Sequence, residues 1–268
     1  MKRSWYFLMF LCIASLGVAS SARWHVIKSR ERGSLPGGAL LKSVTVREMA
    51  TVKKEKEAVV TALVFQDQTY QLKVIDYSPQ DKKLAQVMSE QHFLAGVNGA
   101  YFHPDGRPLG LMISQGKVVH AQETARLLSG FVVTEGDQLQ LLRVGESMPA
   151  GATEVLQSGP FLIDHKVAVA GLESTRIARR TFVATDGHGL WMIGVISPVT
   201  LAQAASVLLA AAPPLFSMHP IQRALNLDGG SSSGLWVDLV PEPFSQSEMS
   251  YVRNFLGLKL KTLKSQGP

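Results

Sequence analysis

Residues 226–234, with the sequence Asn-Leu-Asp-Gly-Gly-Ser-Ser-Ser-Gly, combine one carboxylate with serine hydroxyls and three glycines. The preceding residues 224–227 have the apolar pattern of a buried strand, so Asp228 is expected at the strand's end, where glycines let backbone N–H groups approach a ligand. A carboxylate beside free amides and hydroxyls suits a polar ligand. The simpler interpretation is an Asp-Gly turn in which the serines cap loose backbone, and this segment alone does not separate the two.

Two other polar pairs that contain glycine follow apolar runs, Asn98-Gly99 and Ser158-Gly159. The side chain of Asn98 can hydrogen-bond a sugar hydroxyl or can tie down its own loop. Both pairs are therefore candidate binding positions, and the residue types alone do not name a ligand.

Three arginines, Arg176, Arg179 and Arg180, lead into a β-rich run at residues 181–185. Side chains alternate along a strand, so Arg179 and Arg180 should face opposite ways, and only one of them can join a common site. A guanidinium in this position can bind a phosphate or carboxylate through two hydrogen bonds, or it can simply be solvated.

Residues 230–234 also fit the Gly-x-Ser-x-Gly nucleophile elbow, which would make Ser232 the nucleophile of a hydrolase with a catalytic triad. That elbow has to lead into a helix, whereas residues 235–239 have the pattern of a strand. The triad histidine should also follow the serine, but the last histidine of the chain is His219. Both observations argue against this motif.

Two further motifs carry little weight. Ser114 and Lys117 match a Ser-x-x-Lys pattern, but they occupy a hairpin turn where that motif needs a helix. The seven histidines show no metal-ligand spacing, and His103 with Asp105 is the only weak indication of a metal. We predict neither a metal nor a cofactor.

The elements that must position these residues are mainly short strands. The clearest β-rich runs are residues 58–65, 71–77, 93–98, 131–134 and 139–143. Two hairpins with glycine turns are expected, one pairing residues 111–113 with 117–119 and one pairing 181–185 with 190–195. Strands and helices do not alternate regularly, which argues against a doubly wound sheet. The sequence predicts a single α+β domain with a mixed, mainly antiparallel β-sheet and a few packed helices.

Two helices have start signals. The first is expected to begin with Ser78 as N-cap and Pro79 at the first helical position. The second is expected to begin with a Thr200–Gln203 capping box and to end at Pro213-Pro214.

The first 22 residues have the order of a secretory signal peptide: two cations, an apolar run and small residues. An uncleaved anchor is the alternative, but the run is shorter than the roughly 20 residues that span a bilayer comfortably. We expect a signal peptide at 1–22, an N-terminal arm at 23–44 and one domain at 45–268, in a periplasmic or secreted protein without stable membrane insertion after cleavage.

Charge and cysteine content limit the partners. A net charge of +6 without a long basic run argues against nucleic acid. The single cysteine, Cys12, lies within the expected signal peptide, so we expect no disulfide.

Taken together and in order, the polar segments resemble the phosphodiester glycosidase family. The matching positions are residues 98–102, 109–110, 158–159, 180–181 and 226–230, together with Ser232 and Arg253. Two departures bear on pocket width and substrate choice: Ser231 stands where the family usually has a third glycine, and Ala100-Tyr101 replaces a commoner Gly-Phe pair.

The resemblance implies hydrolysis of a sugar-1-phosphodiester, here in envelope or exopolysaccharide glycan metabolism. The departing phosphate is a weaker base than a sugar alkoxide, so one carboxylate with cations suits the reaction better than two carboxylates. The implied roles are Asp228 as nucleophile or base, Arg180 and Arg253 as phosphate ligands, Asn98 as a hydrogen-bond donor in the catalytic group, and Gly99, Ser158, Gly159, Gly229, Gly230 and Ser232 as substrate-binding positions.

An alternative from another class is a non-catalytic periplasmic protein that binds a phosphorylated glycan and assists polysaccharide assembly. Such a protein would keep the arginines and the glycine-rich turn, but it would not need a carboxylate at Asp228.

Overall fold

The computed structural model describes residues 24–49, 55–77, 79 and 81–262. The expected signal peptide and the expected N-cap Ser78 lie outside these residues. The strands are β1 (Trp24–Ser34), β2 (Leu40–Glu48), β3 (Glu57–Gln66), β4 (Tyr70–Asp76), β5 (Ala95–Asn98), β6 (Met112–Ser114), β7 (Lys117–His120), β8 (Gly130–Glu135), β9 (Gln138–Arg143), β10 (Ala152–Ser158), β11 (Phe161–Asp164), β12 (Val167–Ala168), β13 (Ala178–Thr185), β14 (Leu190–Val199), β15 (Arg223–Asn226), β16 (Leu235–Val237), β17 (Phe244–Gln246) and β18 (Asn254–Leu260). The helices are α1 (Leu84–Glu90) and α2 (Leu201–Leu215), and a 3₁₀ turn spans Gly230–Ser232.

The strands form three sheets. The largest has the order β1-β2-β3-β14-β13-β15-β11-β12, and the two smaller ones have the orders β7-β6-β10-β8-β9 and β17-β16-β5-β18-β4. Neighbouring strands are antiparallel in all three, including the two expected hairpins, β6 with β7 and β13 with β14. The α+β prediction with mainly antiparallel strands is therefore confirmed.

The main apolar core is shared by the three sheets. It includes Leu225 of β15 in the large sheet, Val132 of β8 and Leu256 of β18, each almost completely buried. A second apolar cluster lies between the large sheet and α2, and α1 covers the third sheet through Met88. In a sheet that is buried on both faces the strands are apolar without alternation, as in β14, and their polar residues are concentrated at strand ends.

Residues 24–44, expected to be an arm, instead belong to the β1–β2 hairpin at the edge of the large sheet. β2 pairs with β3 over its whole length and buries Leu41, Val44 and Val46. Gly37 and Gly38 lie in the hairpin turn, where they have φ of +94° and +88°. An extended arm and a hairpin turn can both contain glycine and proline, so composition alone does not distinguish them.

Both helices differ from the prediction at one end. Helix α1 begins at Leu84 with Lys83 as N-cap, several residues after the expected start. Helix α2 begins as expected, because Thr200 and Gln203 form the capping box through two hydrogen bonds of 3.1 Å. It does not end at Pro213-Pro214 but includes both prolines in its last turn, since proline has a helical φ and lacks only the N–H group.

The longest helix, α2, has 15 residues. Among the described residues, no helix is both long and apolar enough to cross a membrane.

Candidate active site

Asn98 connects the third sheet to the large sheet at the point where β5 ends. Its Oδ1 accepts hydrogen bonds from the Thr181 hydroxyl at 2.7 Å and from the Gly234 N–H at 3.1 Å. Its Nδ2 donates to the carbonyl oxygen of Asp228 at 2.8 Å. The side chain is completely buried and its polar atoms bind the protein itself. Asn98 therefore lies in the predicted site, where it holds the loop that carries Asp228.

The chain contains three asparagines, and all of them support this site. Asn226, the last residue of β15, donates through Nδ2 to the Tyr101 hydroxyl at 2.8 Å and to the Gly159 carbonyl at 3.1 Å. Asn254, the first residue of β18, accepts from the Ala100 N–H at 2.7 Å. We refer to Asn98, Asn226 and Asn254 as the asparagine frame.

Gly99 is required by the asparagine frame. A Cβ atom at this position would lie 2.0 Å from Oδ1 of Asn254, so no other residue fits without displacing that side chain. The Gly99 carbonyl in turn accepts the Asp228 N–H at 3.0 Å. The loops that follow β5 and β15 are thereby held side by side.

Asp228 is half-buried at the end of β15, as the sequence predicts. Its Oδ1 accepts the Gly229 N–H at 2.8 Å, and the Ser232 hydroxyl also hydrogen-bonds the carboxylate. Burial raises the pKa of Asp228, and the hydrogen bonds from Ser232 and Gly229 and the charge of Arg176 oppose this rise. A half-buried carboxyl group with a raised pKa is a candidate for a catalytic acid or base.

The turn after Asp228 depends on two glycines and on Ser232. A Cβ atom on Gly229 would lie 3.0 Å from the Arg179 carbonyl oxygen, and Gly230 has φ of +66°. The turn leads through Ser232 into strand β16, not into a helix. The local structure therefore agrees with rejection of the nucleophile elbow, and Ser232 is a hydrogen-bond partner of the carboxylate.

Tyr101 was not among the predicted site residues, although the sequence places it three residues after Asn98. Its hydroxyl donates to the Gly159 carbonyl at 2.7 Å and accepts from Asn226. Burial, and next the negative charge of Asp228, raise the pKa of Tyr101, so the phenol stays protonated beside the carboxylate. The loop sequence gives no signal for this contact, because it depends on how β5 and β15 meet.

The side chains of Arg179 and Arg180 have different surroundings, as the alternation of side chains along a strand predicts. Arg180 is buried, and its guanidinium donates from Nε to the Val199 carbonyl at 3.0 Å and from Nη2 to the Arg176 carbonyl. Burial lowers the pKa of Arg180. Arg179 points elsewhere, with Nη1 donating to the Ser247 carbonyl at 3.0 Å.

Arg176 provides the exposed cation near the carboxylate. Its charge acts on the pKa of both Asp228 and Tyr101. Nη1 of Arg180 lies 3.9 Å from the position of a Cβ atom on Gly229, so the Arg180 guanidinium borders the turn after Asp228. The sequence grouped Arg176 with the other arginines but did not select it for the site.

Arg253, expected to bind phosphate, is buried and forms an ion pair with Asp76 at the end of β4. No contact joins its side chain to Asp228, Arg180 or Asn98 within the part of the chain that the structure describes. Its positive charge is therefore balanced by the protein.

Ser158 and Gly159 also face the protein. The Ser158 hydroxyl is buried and donates to the Asn226 carbonyl at 3.1 Å, and the Gly159 carbonyl accepts from Tyr101 and Asn226. Both residues therefore support the asparagine frame and the loop that carries Tyr101.

In residues 24–49, 55–77, 79 and 81–262, no three His, Cys, Asp or Glu side chains cluster in a way suited to a metal ion. The absence of a cofactor stays a prediction. The groups available to a ligand are the carboxylate of Asp228, the Ser232 hydroxyl, the backbone of Gly229 and Gly230, and the guanidinium groups of Arg176 and Arg180. This set can place an anionic ester group beside a carboxylate.

Comparison with known proteins identifies related sequences and folds. Residues 91–259 match the phosphodiester glycosidase family. The catalytic domain of zebrafish N-acetylglucosamine-1-phosphodiester α-N-acetylglucosaminidase, auto-inhibited by its pro-peptide, has a similar fold: the TM-score is 0.59 with 16% identity, and the match covers 88% of this chain and 89% of that one. A protein from Synechocystis matches with a TM-score of 0.52 and 14% identity over 90% and 81% of the two chains. No curated protein sequence matches this chain.

Proposed function

Because the chain belongs to the phosphodiester glycosidase family, we propose that it hydrolyses a sugar-1-phosphodiester at the bond between the sugar's anomeric carbon and the phosphate oxygen. Water supplies the hydroxyl that remains on the sugar and the proton that balances the products. The second product is a phosphomonoester of the other alcohol. The observation that carries this proposal is the half-buried carboxylate of Asp228, held on a glycine turn that borders Arg180 and exposed to the positive charge of Arg176.

Asp228 acts at the anomeric carbon in this proposal, as the nucleophile or as the base that activates water. Positive charge develops on the sugar ring as the phosphate departs, and a carboxylate stabilises that charge. The Gly229 N–H and the Ser232 hydroxyl hold the carboxylate in one orientation. This orientation is what makes a single carboxylate effective.

Arg176 and Arg180 bind the departing phosphate. A phosphate monoanion gains negative charge as the bond breaks, so cations beside it stabilise the transition state. Asn98 is a positioning residue in this proposal, because its amide binds Thr181, Gly234 and the backbone of Asp228. Arg253 has no role in binding the phosphate here, since it is paired with Asp76.

The test uses the chain from residue 23 onward and a panel of sugar-1-phosphodiesters, with free sugar and new phosphomonoester measured together. For the diester that is hydrolysed, Asp228→Asn should lower kcat by at least about 10²-fold while binding is retained, since the lost charge acts on the transition state. Asp238→Asn, an exposed aspartate after β16, is the matched control and should keep wild-type activity.

The outcomes separate the two classes of function. Hydrolysis at the wild-type rate by a folded Asp228→Asn protein would remove the catalytic assignment. Binding of the whole panel without any turnover, unchanged in Asp228→Asn, would instead favour the glycan-binding alternative.

We also propose that the protein acts outside the cytoplasm on an envelope or exopolysaccharide glycan. The support is the order of cations, apolar residues and small residues at 1–22. Intact-mass measurement of protein from fractionated cells should find a chain that begins near Arg23 in the periplasm or the medium. A full-length chain in the membrane fraction would contradict this proposal.

A further inference from the structure

A pocket of about 570 Å³ opens next to the arginines of the site. This volume is within the range of roughly 300–1,000 Å³ that accommodates small ligands. Most of its wall is apolar and comes from four segments: the loop before β8, the start of β11, the segment between β12 and β13 and the start of α2. The apolar lining residues are Leu127, Pro160, Phe161, Val169, Leu172 and Leu201.

Glu173 connects this pocket to the candidate active site. It belongs to the pocket wall, and its Oε1 accepts the Arg176 N–H at 2.6 Å. Its Oε2 lies 3.9 Å from Nη2 of Arg180. The pocket therefore begins where the two phosphate-binding arginines are anchored.

The backbone provides a second connection. Pro160 lines the pocket, and the carbonyl of the preceding residue, Gly159, accepts the hydrogen bond from Tyr101 beside Asp228. The Gly159-Pro160 segment therefore borders the pocket and also contacts the loop that carries Tyr101. A molecule with its phosphate at Arg176 and Arg180 has its sugar on the side of Asp228 and its other ester group on the side of the pocket.

The composition of the wall indicates the chemistry of that other group. The Leu127 side chain is 37% exposed, and Val169 and Leu172 are only half-buried, so apolar surface faces the solvent inside a concave site. Covering such surface is favourable by about 25 cal/mol per Å². Arg126 is an exposed cation on the same wall and forms no ion pair with the described residues, so it suits the phosphate end of an amphiphilic ligand.

We propose that the alcohol on the far side of the phosphate is an aliphatic one, and that its hydrocarbon chain binds in this pocket. This inference rests on the proposed function and narrows its substrate to a sugar-1-phosphate esterified with an apolar alcohol. The pocket is a specificity site in this account, and the bond that breaks remains the one between the anomeric carbon and the phosphate oxygen.

The first test compares two diesters of one sugar-1-phosphate that differ only in the alcohol, methyl or n-octyl. The n-octyl diester should have a kcat/KM at least about tenfold higher, because its additional methylene groups leave water when they bind in the pocket. The variant Leu127→Ser should reduce this preference by lowering kcat/KM for the n-octyl diester more than for the methyl diester. Val118→Ser is the matched control, because Val118 is 67% exposed on β7 and does not line the pocket.

The second test measures binding without turnover. Calorimetry with n-octyl phosphate, kept below its micellar concentration, should show at least about tenfold tighter binding than methyl phosphate, and Leu127→Ser should remove the difference. Equal binding of the two phosphates, or a higher kcat/KM for a diester with a sugar alcohol, would overturn the pocket assignment. Tight binding of n-octyl phosphate with no hydrolysis of either diester would support the pocket and contradict the proposed hydrolysis.

Discussion

At the scale of single residues, the environment of Asp228 makes stability depend on pH. Burial raises the folded-state pKa of this carboxyl above its ordinary value of 3.8, so the folded protein favours the protonated form. The contribution of Asp228 to folding stability is therefore fully present below that ordinary value and is lost as the pH rises through its folded-state pKa. The charged carboxylate that the proposed reaction requires is therefore destabilising to the fold at neutral pH.

The variant Asp228→Asn tests this destabilising effect because it cannot ionise. We expect it to have a higher melting temperature than the wild type at pH 7, and the gain should disappear below pH 3.8. Calorimetric melting curves across this pH range give the comparison, with Asp238→Asn as the exposed control. A variant that is less stable than the wild type at pH 7 would show that the hydrogen bonds to the carboxylate outweigh its burial.

The charge of Arg176 should be visible in the pH profile of activity. This cation lowers the pKa of Asp228, so Arg176→Gln should raise that pKa further. If the ionised carboxylate is the active form, the acid limb of the kcat profile should move to higher pH in this variant. The shift should shrink in high salt, since Arg176 is exposed.

Arg30→Gln is the control for this profile, because Arg30 is an exposed cation on β1. It should leave the acid limb in place. An identical limb in Arg176→Gln and the wild type would mean that the activity does not follow the ionisation of Asp228.

At the scale of elements, Asn98 should contribute to stability by joining two sheets. Asn98→Ala leaves the Thr181 hydroxyl and the Gly234 N–H without their partner, and we expect a loss of about 2–4 kcal/mol in the free energy of unfolding. Urea unfolding of Asn98→Ala, Thr181→Val and the double variant should show an interaction energy of about 1 kcal/mol, because the two side chains are in direct contact.

A second cycle provides the control. Thr134 is also a buried threonine, but its hydroxyl donates to the Leu72 carbonyl and not to Asn98. The effects of Asn98→Ala and Thr134→Val should therefore add. Additivity in both cycles would contradict the direct connection between β5 and β13.

The sequence predicts elements better than it predicts their contacts. The alternation of apolar residues locates the strands, and glycine locates the turns of the two expected hairpins, because both are local properties of the chain. The end of a buried strand correctly places Asp228. The ion pair of Arg253 with Asp76 could not be predicted from the local sequence, because Asp76 lies on β4, far away in the sequence.

The same limit explains the other site residues. Nothing in the local sequence distinguishes a ligand-binding Asn98 from one that binds Thr181 and Gly234, since both use the same amide groups. Tyr101 enters the site only because Asn226 and Gly159 meet its hydroxyl. Contacts of this kind require the sheets to be assembled first.

At the scale of the whole molecule, the β1–β2 hairpin should behave as part of the fold and not as an arm. A chain that begins at residue 35 lacks β1 and leaves the backbone groups of β2 unpaired at the edge of the large sheet. We expect this chain to melt at a lower temperature and to self-associate, because an open strand edge pairs with other chains.

The control is a chain that begins at Trp24, which keeps β1 complete. In size-exclusion chromatography and melting curves, this chain should have the same apparent size and melting temperature as the chain from residue 23 onward. If the chain that begins at residue 35 is equally stable and elutes at the same apparent size, β1 adds nothing to the fold.

The asparagine frame gives this protein an unusual spectroscopic property. Because the chain has only three asparagines, and they are 0%, 1% and 1% exposed around one site, selective ¹⁵N-asparagine labelling gives side-chain amide signals from that site alone. A ligand bound at Asp228 should shift these signals, and one that binds elsewhere should not. Occupancy can therefore be followed by NMR in a crude mixture, before any substrate is known.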